Sequence, residues 1–359
     1  MREKVGGEMA EDIYIRLAHA LDRLPNGFPR TQSGVEIAIL KRFFTLEEAS
    51  IACTLGREFE PYNEIARRVG LREEEARSRL DEMAERGLLG SRTQDGKPYF
   101  RLNPFVVGIY ESGLEDMDHE LAHLVERYFA EGGAAGIMGP EPAIHRVIPT
   151  HGAVKSEWIL PYDDVKAIIK KMNTFNVRRC ICRVQQDQIG RRCDFPLDIC
   201  LNFSSRKRSP TPGDISKDEA MTLLDRAEDL GLVHTVSNVM EGFGYVCNCC
   251  GCCCGILRGI TDWGIESSVA HANYYSEIDP DECVGCGVCV DRCQVKAVSM
   301  ENGRASVDRR RCIGCGLCTT KCPSGAARLI RKPENEIVHP PADFDAWEKE
   351  RLRNRGLSE

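Results

Sequence analysis

Cysteines set the chemistry of this 359-residue chain, because there are 19 of them and they are unevenly distributed. Cys53 is the one cysteine of the first half, and the other eighteen lie between positions 180 and 322. The N-terminus lacks an apolar stretch of signal-peptide length, and no run reaches the roughly 18 apolar residues of a membrane span. We therefore expect a cytoplasmic protein, in which thiols stay reduced and serve metal binding or redox chemistry rather than disulfides.

Two similar cysteine runs near the C-terminus form the most specific pattern. CVGCGVCVDRCQ begins at Cys283 and CIGCGLCTTKCP begins at Cys312, and both have the spacing C-x2-C-x2-C-x3-C. This is the run of bacterial two-cluster ferredoxins, in which the fourth cysteine of each run binds the other cluster. The crossing predicts two [4Fe–4S] clusters, one held by Cys283, Cys286, Cys289 and Cys322 and one by Cys312, Cys315, Cys318 and Cys293.

The residues around these cysteines fit the same interpretation. Four glycines let the backbone approach a cluster closely: Gly285, Gly287, Gly314 and Gly316. Short strands near 297–300 and 305–308, joined by the turn ENGR, fit the small ferredoxin fold. Gln294 stands where the repeat would have proline, which alters one cluster's surroundings and removes no ligand. A pair of zinc sites is disfavoured because zinc usually takes paired C-x2-C knuckles, so residues 273–332 resemble a bacterial-type dicluster ferredoxin.

Ten further cysteines precede this stretch in two groups. The first group is Cys180, Cys182, Cys193 and Cys200, and the second, in the run CNCCGCCC, is Cys247, Cys249, Cys250, Cys252, Cys253 and Cys254. On an extended strand, Cys180 and Cys182 would present sulfurs on one face about 7 Å apart, which suits two corners of a cluster. Either each group holds its own cluster or both contribute to one, and surplus thiols pack as small apolar residues. We expect one or two more Fe–S clusters here, with zinc as the alternative.

The segment around the first of these groups is basic. Residues 176–208 contain eight Lys or Arg against three Asp, although the whole chain has a net charge of −7. A four-thiolate cluster is negatively charged, so nearby cations stabilise it and tune its potential. For the run SRKRS, a solvated loop is an equally simple explanation. The overall negative charge disfavours nonspecific attraction to nucleic acid or to an anionic membrane.

The first half has the elements of a winged helix-turn-helix, predicted over residues 31–110. Helices are expected at GVEIAILKRFF, at TLEEASIACTLG with a capping box of Thr45 and Glu48, and at PYNEIARRVGL. A helix over 72–86 then precedes a hairpin that turns at Asp95-Gly96. That helix is the candidate recognition helix and has six acidic and four basic residues. A helix that enters a DNA groove between the phosphates should be neutral or basic. We predict a protein-contact module, with DNA binding as the alternative and Cys53 as core packing.

The remaining segments connect and flank these parts. Helices are predicted over 114–128 and 163–172, and a helix with a capping box of Ser216 and Glu219 separates the two middle cysteine groups. The sequence contains no phosphate loop, dinucleotide glycine motif or nucleophile triad, so no catalytic residue is predicted. The predicted fold class is α+β and multidomain, with an N-terminal helical segment 1–30, a winged-helix-like domain 31–110, a helical connector 111–176, a cysteine-rich α/β middle domain 177–272, a dicluster ferredoxin-like domain 273–332 and a C-terminal tail helix 333–359.

The overall order resembles a family of iron–sulfur proteins from strict anaerobes, described as 4Fe–4S binding proteins. CICR, CNCCGCCC and the two C-terminal runs carry the likeness. The resemblance implies an electron-transfer component and names no reaction. Our leading hypothesis is a protein that relays single electrons between a low-potential donor and a partner oxidoreductase in anaerobic metabolism. Its expected partners are redox proteins, with no membrane span and with nucleic acid disfavoured. The alternatives are a redox-sensing winged-helix transcriptional regulator and a reductase with catalysis at the middle cysteines.

Overall fold

The structure is a computed structural model that describes residues 2–357, and it has the mixed helix-and-sheet content of an α+β protein. The chain divides into two compact units. The first contains the residues up to Pro140, Val184–Arg191 and the segment from Arg351 onward, and the second contains Glu141–Arg183 and Arg192–Glu350. Every cysteine predicted to bind metal lies in the second unit.

Helices occur along the whole chain. The α-helices are α1 Arg2–Asp22, α2 Val35–Phe43, α3 Leu46–Ala52, α4 Tyr62–Val69, α5 Glu73–Glu85, α6 Tyr110–Ser112, α7 His119–Tyr128, α8 Ala134–Met138, α9 Val165–Lys170, α10 Ile181–Gln188, α11 Lys217–Leu230, α12 Gly255–Thr261, α13 Val288–Asp291 and α14 Phe344–Asn354. Kinked helical turns lie at Phe105–Ile109 and Phe129–Gly133, and 3-10 turns at His151–Ala153, Ser156–Trp158, Glu266–Ser268 and Glu334–Glu336. Within the part of the chain that the structure describes, every helix is too short or too polar to span a bilayer.

The strands form four sheets. They are β1 Glu60–Pro61, β2 Leu89–Gln94, β3 Lys97–Leu102, β4 His145–Ile148, β5 Thr174–Arg179, β6 Asp198–Ser204, β7 Val233–Ser237, β8 Tyr245–Cys249, β9 Val269–Ala270, β10 Tyr274–Ile278, β11 Val298–Glu301, β12 Arg304–Val307 and β13 Ala327–Arg331. The largest sheet has the order β5-β6-β8-β7-β4-β9, and the others have the orders β1-β3-β2, β10-β13 and β11-β12. All pairs are antiparallel except β4 with β9.

Local signals in the first unit act as predicted. Thr45 and Glu48 form the reciprocal capping box of α3, which confirms that prediction. Gly70 ends α4 in the left-handed conformation that glycine adopts without a steric penalty. The hairpin turns at Asp95 and Gly96, both with positive φ, as an Asp-Gly turn requires. The helices and the hairpin occur in the order that led to the winged-helix interpretation, which stays a prediction.

Two helices are shorter than predicted because acidic residues cap them. The helix expected over 114–128 begins at His119, where the Asp118 carboxylate accepts a hydrogen bond from the Leu121 amide at 2.9 Å. The helix expected over 163–172 begins at Val165, where Asp164 caps through the Ala167 amide at 2.8 Å. Aspartate at such a position satisfies a backbone amide that the helix leaves without a partner.

The six-stranded sheet of the second unit positions the middle cysteines. Cys200 lies on β6, and Cys247 and Cys249 lie on the neighbouring strand β8. The run after β8 turns into α12, with Cys254 as the residue that precedes the helix. Helix α11 lies between these strands in sequence and begins at the predicted capping box of Ser216 and Glu219, which is confirmed.

The ferredoxin-like stretch contains two short two-stranded antiparallel sheets. Strands β11 and β12 pair in register around a turn at Asn302 and Gly303, both with positive φ, and they match the predicted strands within one residue. Strands β10 and β13 pair from Tyr274–Arg331 to Ile278–Ala327. The first cysteine run lies in the segment between β10 and β11, and the second lies in the segment between β12 and β13.

Candidate metal centres in the second unit

The first ferredoxin group, defined as Cys283, Cys286, Cys289 and Cys322, lines a single cavity. Between Cys283 and Cys286, Gly285 has a φ of +70°, and a Cβ there would lie 2.3 Å from the Gly303 carbonyl oxygen. The backbone therefore passes closer than a side chain allows. Cys286 is exposed and its neighbour Val284 is 67% exposed, so this cavity lies at the surface.

The second ferredoxin group, defined as Cys293, Cys312, Cys315 and Cys318, lies deeper. Its thiols interact electrostatically with one another, and none of them is exposed. Burial raises the pKa of Cys315 well above its ordinary value and that of Cys318 to about 12. Burial therefore disfavours the ionised form of these two thiols, which is the form that binds a metal.

Backbone amides donate hydrogen bonds to sulfurs of both ferredoxin groups. The donor–acceptor pairs are Ala297 to Cys293 at 3.1 Å, Ser276 to Cys312 at 3.4 Å, Ala327 to Cys322 at 3.4 Å and Ala305 to Cys283 at 3.5 Å. Such hydrogen bonds stabilise negative charge on sulfur and are among the factors that set the potential of an Fe–S cluster. Both groups therefore have the surroundings of cluster-binding thiols.

Six of the middle cysteines form a closed ring, here the thiol ring, in which each thiol contacts the next. Its order is Cys180, Cys182, Cys254, Cys249, Cys247 and Cys200, which returns to Cys180. None of the six is exposed. Hydrogen bonds from Cys182 and Cys200 hold the pKa of Cys180 well below its ordinary value, and the same bonds raise the pKa of those two partners.

The other four middle cysteines, Cys193, Cys250, Cys252 and Cys253, form the compact group. Their Sγ atoms all lie within 4.8 Å of one another. The Cys193–Cys253 and Cys252–Cys253 pairs are 3.5 Å and 3.7 Å apart. Hydrogen bonds from Cys252 and Cys253 lower the pKa of Cys250 to about 2, and the bond to Cys250 raises that of Cys252 to about 12. Four sulfurs at this separation can hold a metal ion.

The spatial sets do not follow the sequence groups. Cys193 of the first sequence group lies with three cysteines of the second, while Cys180, Cys182 and Cys200 lie with the other three. The prediction of one extended strand through Cys180 and Cys182 is wrong, because β5 ends at Arg179 and α10 begins at Ile181. The C-x-C strand geometry occurs instead at Cys247 and Cys249, which share one face of β8.

Arg183 lies between the ring and the compact group. It is 2% exposed and donates to the Asn248 carbonyl at 2.9 Å and to the Pro196 carbonyl at 3.1 Å. Burial lowers the pKa of Arg183, but nearby thiolates raise this pKa above its ordinary value. These thiolates belong to Cys180, Cys250 and Cys249. Among residues 2–357, Arg183 has no carboxylate in an ion pair with it. A buried cation needs buried anions nearby, and the thiols are the groups that can supply them.

Gln294 connects the compact group to the second ferredoxin group, a role that the sequence did not reveal. It follows Cys293 in the chain, and its side-chain carbonyl accepts a hydrogen bond from the Gly251 amide at 2.8 Å. Its side-chain amide donates to the Gly231 carbonyl at 2.9 Å. A Cβ at Gly251 would lie 1.8 Å from the backbone carbonyl oxygen of Gln294, so only glycine fits between Cys250 and Cys252. The sequence signal for this role was Gln294 itself, which stands where the repeat would have proline.

Cys53 belongs to the first unit and to none of these sets. Its thiol donates to the Ser50 carbonyl at 3.3 Å, and burial raises its pKa. It therefore fits the packing role predicted for it. The eighteen predicted metal-binding cysteines thus fall into four sets: two ferredoxin groups, the thiol ring and the compact group.

Comparisons with known proteins support the ferredoxin part of this description. A family model described as a 4Fe-4S dicluster domain matches residues 276–329. Ferredoxin-2 of Desulfomicrobium norvegicum is 50% identical over 28 residues, which is 8% of this chain and 48% of that protein, so the match spans about half of the relative's length. No solved structure matches the chain. The segment matched by the family model, residues 276–329, contains all eight cysteines of the two ferredoxin groups.

Proposed function

We propose that this protein relays single electrons between a low-potential donor and a partner oxidoreductase in anaerobic metabolism. The observation that carries this proposal is the 4Fe-4S dicluster match over residues 276–329, which indicates iron–sulfur electron transfer. Within that segment, each cysteine run contributes three thiols to one ferredoxin group and one to the other. A [4Fe–4S] cluster held by four thiolates supplies a one-electron carrier.

The residues around the two ferredoxin groups have separate tasks. The cysteines hold the clusters, and the amides of Ala297 and Ser276 stabilise negative charge on the sulfurs of the second group. At the first group, Cys286 is exposed beside the exposed apolar side chain of Val284. A redox partner that covers Val284 would approach this group most closely. The surface group therefore serves exchange with the partner, and the deeper group serves the interior of the unit.

The thiol ring is the proposed site of a further Fe–S cluster. Its donor set fits such a group, because six unexposed thiols offer more than the four thiolates that one cluster needs. Arg183 fits as well, since it is a buried cation whose charged neighbours are thiols. Its charge would offset part of the negative charge that four thiolates bring to the site. The ring would then extend the relay beyond the ferredoxin segment.

Iron counting with EPR tests this assignment. Protein reconstituted anaerobically with iron and sulfide should contain about twelve iron atoms per chain, as three [4Fe–4S] clusters require. The reduced protein should show the two interacting ferredoxin signals and a third signal. A content of about eight iron atoms with two signals would leave the ferredoxin function standing and remove the ring cluster.

The first unit is proposed to contact a protein rather than DNA. Helix α5, the one that would enter a groove, begins with three glutamates, and its Arg79 is paired with Glu47 and Glu75. Those carboxylates compete with phosphates for its cation. We expect weak binding to duplex DNA with no sequence preference in a salt-dependent retention assay. Tight retention of one sequence by the full-length protein would instead favour a redox-sensing transcriptional regulator.

A further inference from the structure

The compact group differs from the ferredoxin groups in the spacing of its sulfurs. All four Sγ atoms lie within 4.8 Å of one another. Around one tetrahedral zinc ion with Zn–S bonds of about 2.3 Å, the sulfurs lie about 3.8 Å apart. In a [4Fe–4S] cluster each thiolate binds a different iron, so the width of the cluster further separates the sulfurs. The Cys193–Cys253 and Cys252–Cys253 distances, 3.5 Å and 3.7 Å, fit one ion.

The ligand set and its backbone also have the features of a structural site. Three of the cysteines come from one short run, and the fourth, Cys193, comes from a distant segment. Two of the four, Cys250 and Cys253, are buried at 1% and 2% exposure. The Gly251 backbone is fixed against Gln294 through the hydrogen bond at 2.8 Å. A closed set of four thiolates with no position for a substrate is the usual form of a structural zinc site.

We propose that Cys193, Cys250, Cys252 and Cys253 bind a single zinc ion that holds the cysteine run in place. Cys249 and Cys254, which belong to the thiol ring, directly flank the compact group in the sequence. An ion at the compact group therefore fixes both ends of the loop that carries these two ring thiols. Zinc has no redox chemistry, so this site positions its neighbours and carries no electrons. The proposal does not depend on whether the ring holds an iron cluster.

Electrostatics favour the ion as well. Four thiolates around Zn²⁺ leave a net charge of −2, and Arg183 lies against Cys250 to offset part of it. The ion and the Arg183 guanidinium together supply positive charge to the four thiolates, as a buried cluster of negative groups requires.

Metal analysis of the full-length protein tests the proposal. Protein expressed with both iron and zinc in the medium and purified anaerobically should contain about one zinc per chain. X-ray absorption at the zinc edge should show four sulfur neighbours at about 2.3 Å and no iron neighbour. A wild-type protein without zinc, or with the EPR signal of a mononuclear high-spin ferric ion in place of zinc, would overturn the metal assignment.

Two matched variants separate this site from the ring. Cys193→Ser should reduce zinc at least tenfold, while the two ferredoxin EPR signals show that the chain is still folded. Cys200→Ser, its counterpart in the ring, should retain the zinc whatever happens to the iron content. If Cys193→Ser lowers iron and leaves zinc unchanged, the compact group belongs to an iron cluster and the proposal is wrong. If the ring-cluster proposal is wrong and the zinc proposal is right, wild-type protein should contain only about eight iron atoms per chain but still about one zinc.

Discussion

The ferredoxin segment and the middle region solve the same problem, bringing thiols together, in different ways. In the ferredoxin segment, short runs with glycines bring the thiols together, around a cavity in the first group, and backbone amides donate to the sulfurs. In the middle region, a sheet brings together cysteines that are distant in sequence, and the thiols contact one another. The difference shows that a loop-built site is specified by local spacing, whereas a sheet-built site is specified by strand pairing.

The two regions also differ in how charge is balanced. The ring and the compact group share the buried guanidinium of Arg183, whereas the ferredoxin sulfurs receive several backbone donors and their nearby cations, Arg292 and Lys332, are only half-buried. A neutral donor is local to one sulfur, but one cation affects every thiolate within its range. A substitution in the ferredoxin segment should therefore affect one group, and a substitution at Arg183 should affect both sets of the middle region.

The largest effect is expected from removing a ring ligand. Cys182→Ser should lower the iron content from about twelve to about eight atoms per chain and abolish the third EPR signal, because one [4Fe–4S] cluster loses a thiolate. The two ferredoxin signals should persist, since their ligands come from another segment. Cys53→Ser, which removes a thiol outside the sets, serves as the control. Full iron content in Cys182→Ser would mean that the ring is structural.

Replacing the shared cation is the next most severe change. Arg183→Met should lower the free energy of unfolding of the metal-loaded protein by about 3–5 kcal/mol, because negative sites lose their buried partner. Denaturant unfolding under anaerobic conditions measures it, with metal content recorded alongside. Arg179→Met, at an exposed arginine four residues earlier, should have little effect. Equal losses in the two variants would contradict the role assigned to Arg183.

A pair of glycines tests how local the ferredoxin sites are. Gly285 and Gly287 both have positive φ, +70° and +76°, but a Cβ added at Gly285 would lie 2.3 Å from the Gly303 carbonyl oxygen, whereas one at Gly287 would meet open space. Alanine at either position costs about 1–2 kcal/mol for the left-handed conformation. Gly285→Ala should additionally weaken the EPR signal of the first ferredoxin group, and spin counting per chain should find the other signals unchanged. The same loss in Gly287→Ala would remove the close-approach explanation.

A change that affects stability alone, without loss of a cluster signal, is expected at the connection between the two regions. Gln294→Leu removes hydrogen bonds to Gly251 and Gly231, and leaving those backbone groups without partners should cost about 1–3 kcal/mol. Thermal unfolding of the metal-loaded protein measures it. Pro323→Leu, the equivalent position of the other repeat, provides the control and should be nearly neutral. A larger loss in Pro323→Leu would show that the repeat position, rather than the connection, is what matters.

What could be predicted from the sequence follows the same division between local and distant determinants. The capping boxes of Thr45 and Ser216 and the Asp95-Gly96 turn depend on neighbouring residues, and all were predicted correctly. The two sets of four C-terminal cysteines were predicted from the repeat, because the spacing of its cysteines determines which thiols can bind the same cluster. No spacing rule separates Cys193 from Cys200, because strand β6 carries one and not the other. The change from strand to helix between Cys180 and Cys182 was also missed, because the C-x-C spacing was interpreted as one extended strand.

Exposure of Cys286 has a consequence for how the protein meets oxygen. Exposed thiolates oxidise before unexposed ones, first to sulfenic acid and then to irreversible products. Cys286 is the exposed member of the first ferredoxin group and Cys252 that of the compact group, whereas the second ferredoxin group and the thiol ring have none. Oxygen therefore reaches these two sites before the deeper cysteines, which keep their reduced state longer. Of the two ferredoxin groups, the one that a redox partner can approach most closely is also the one lost first in air.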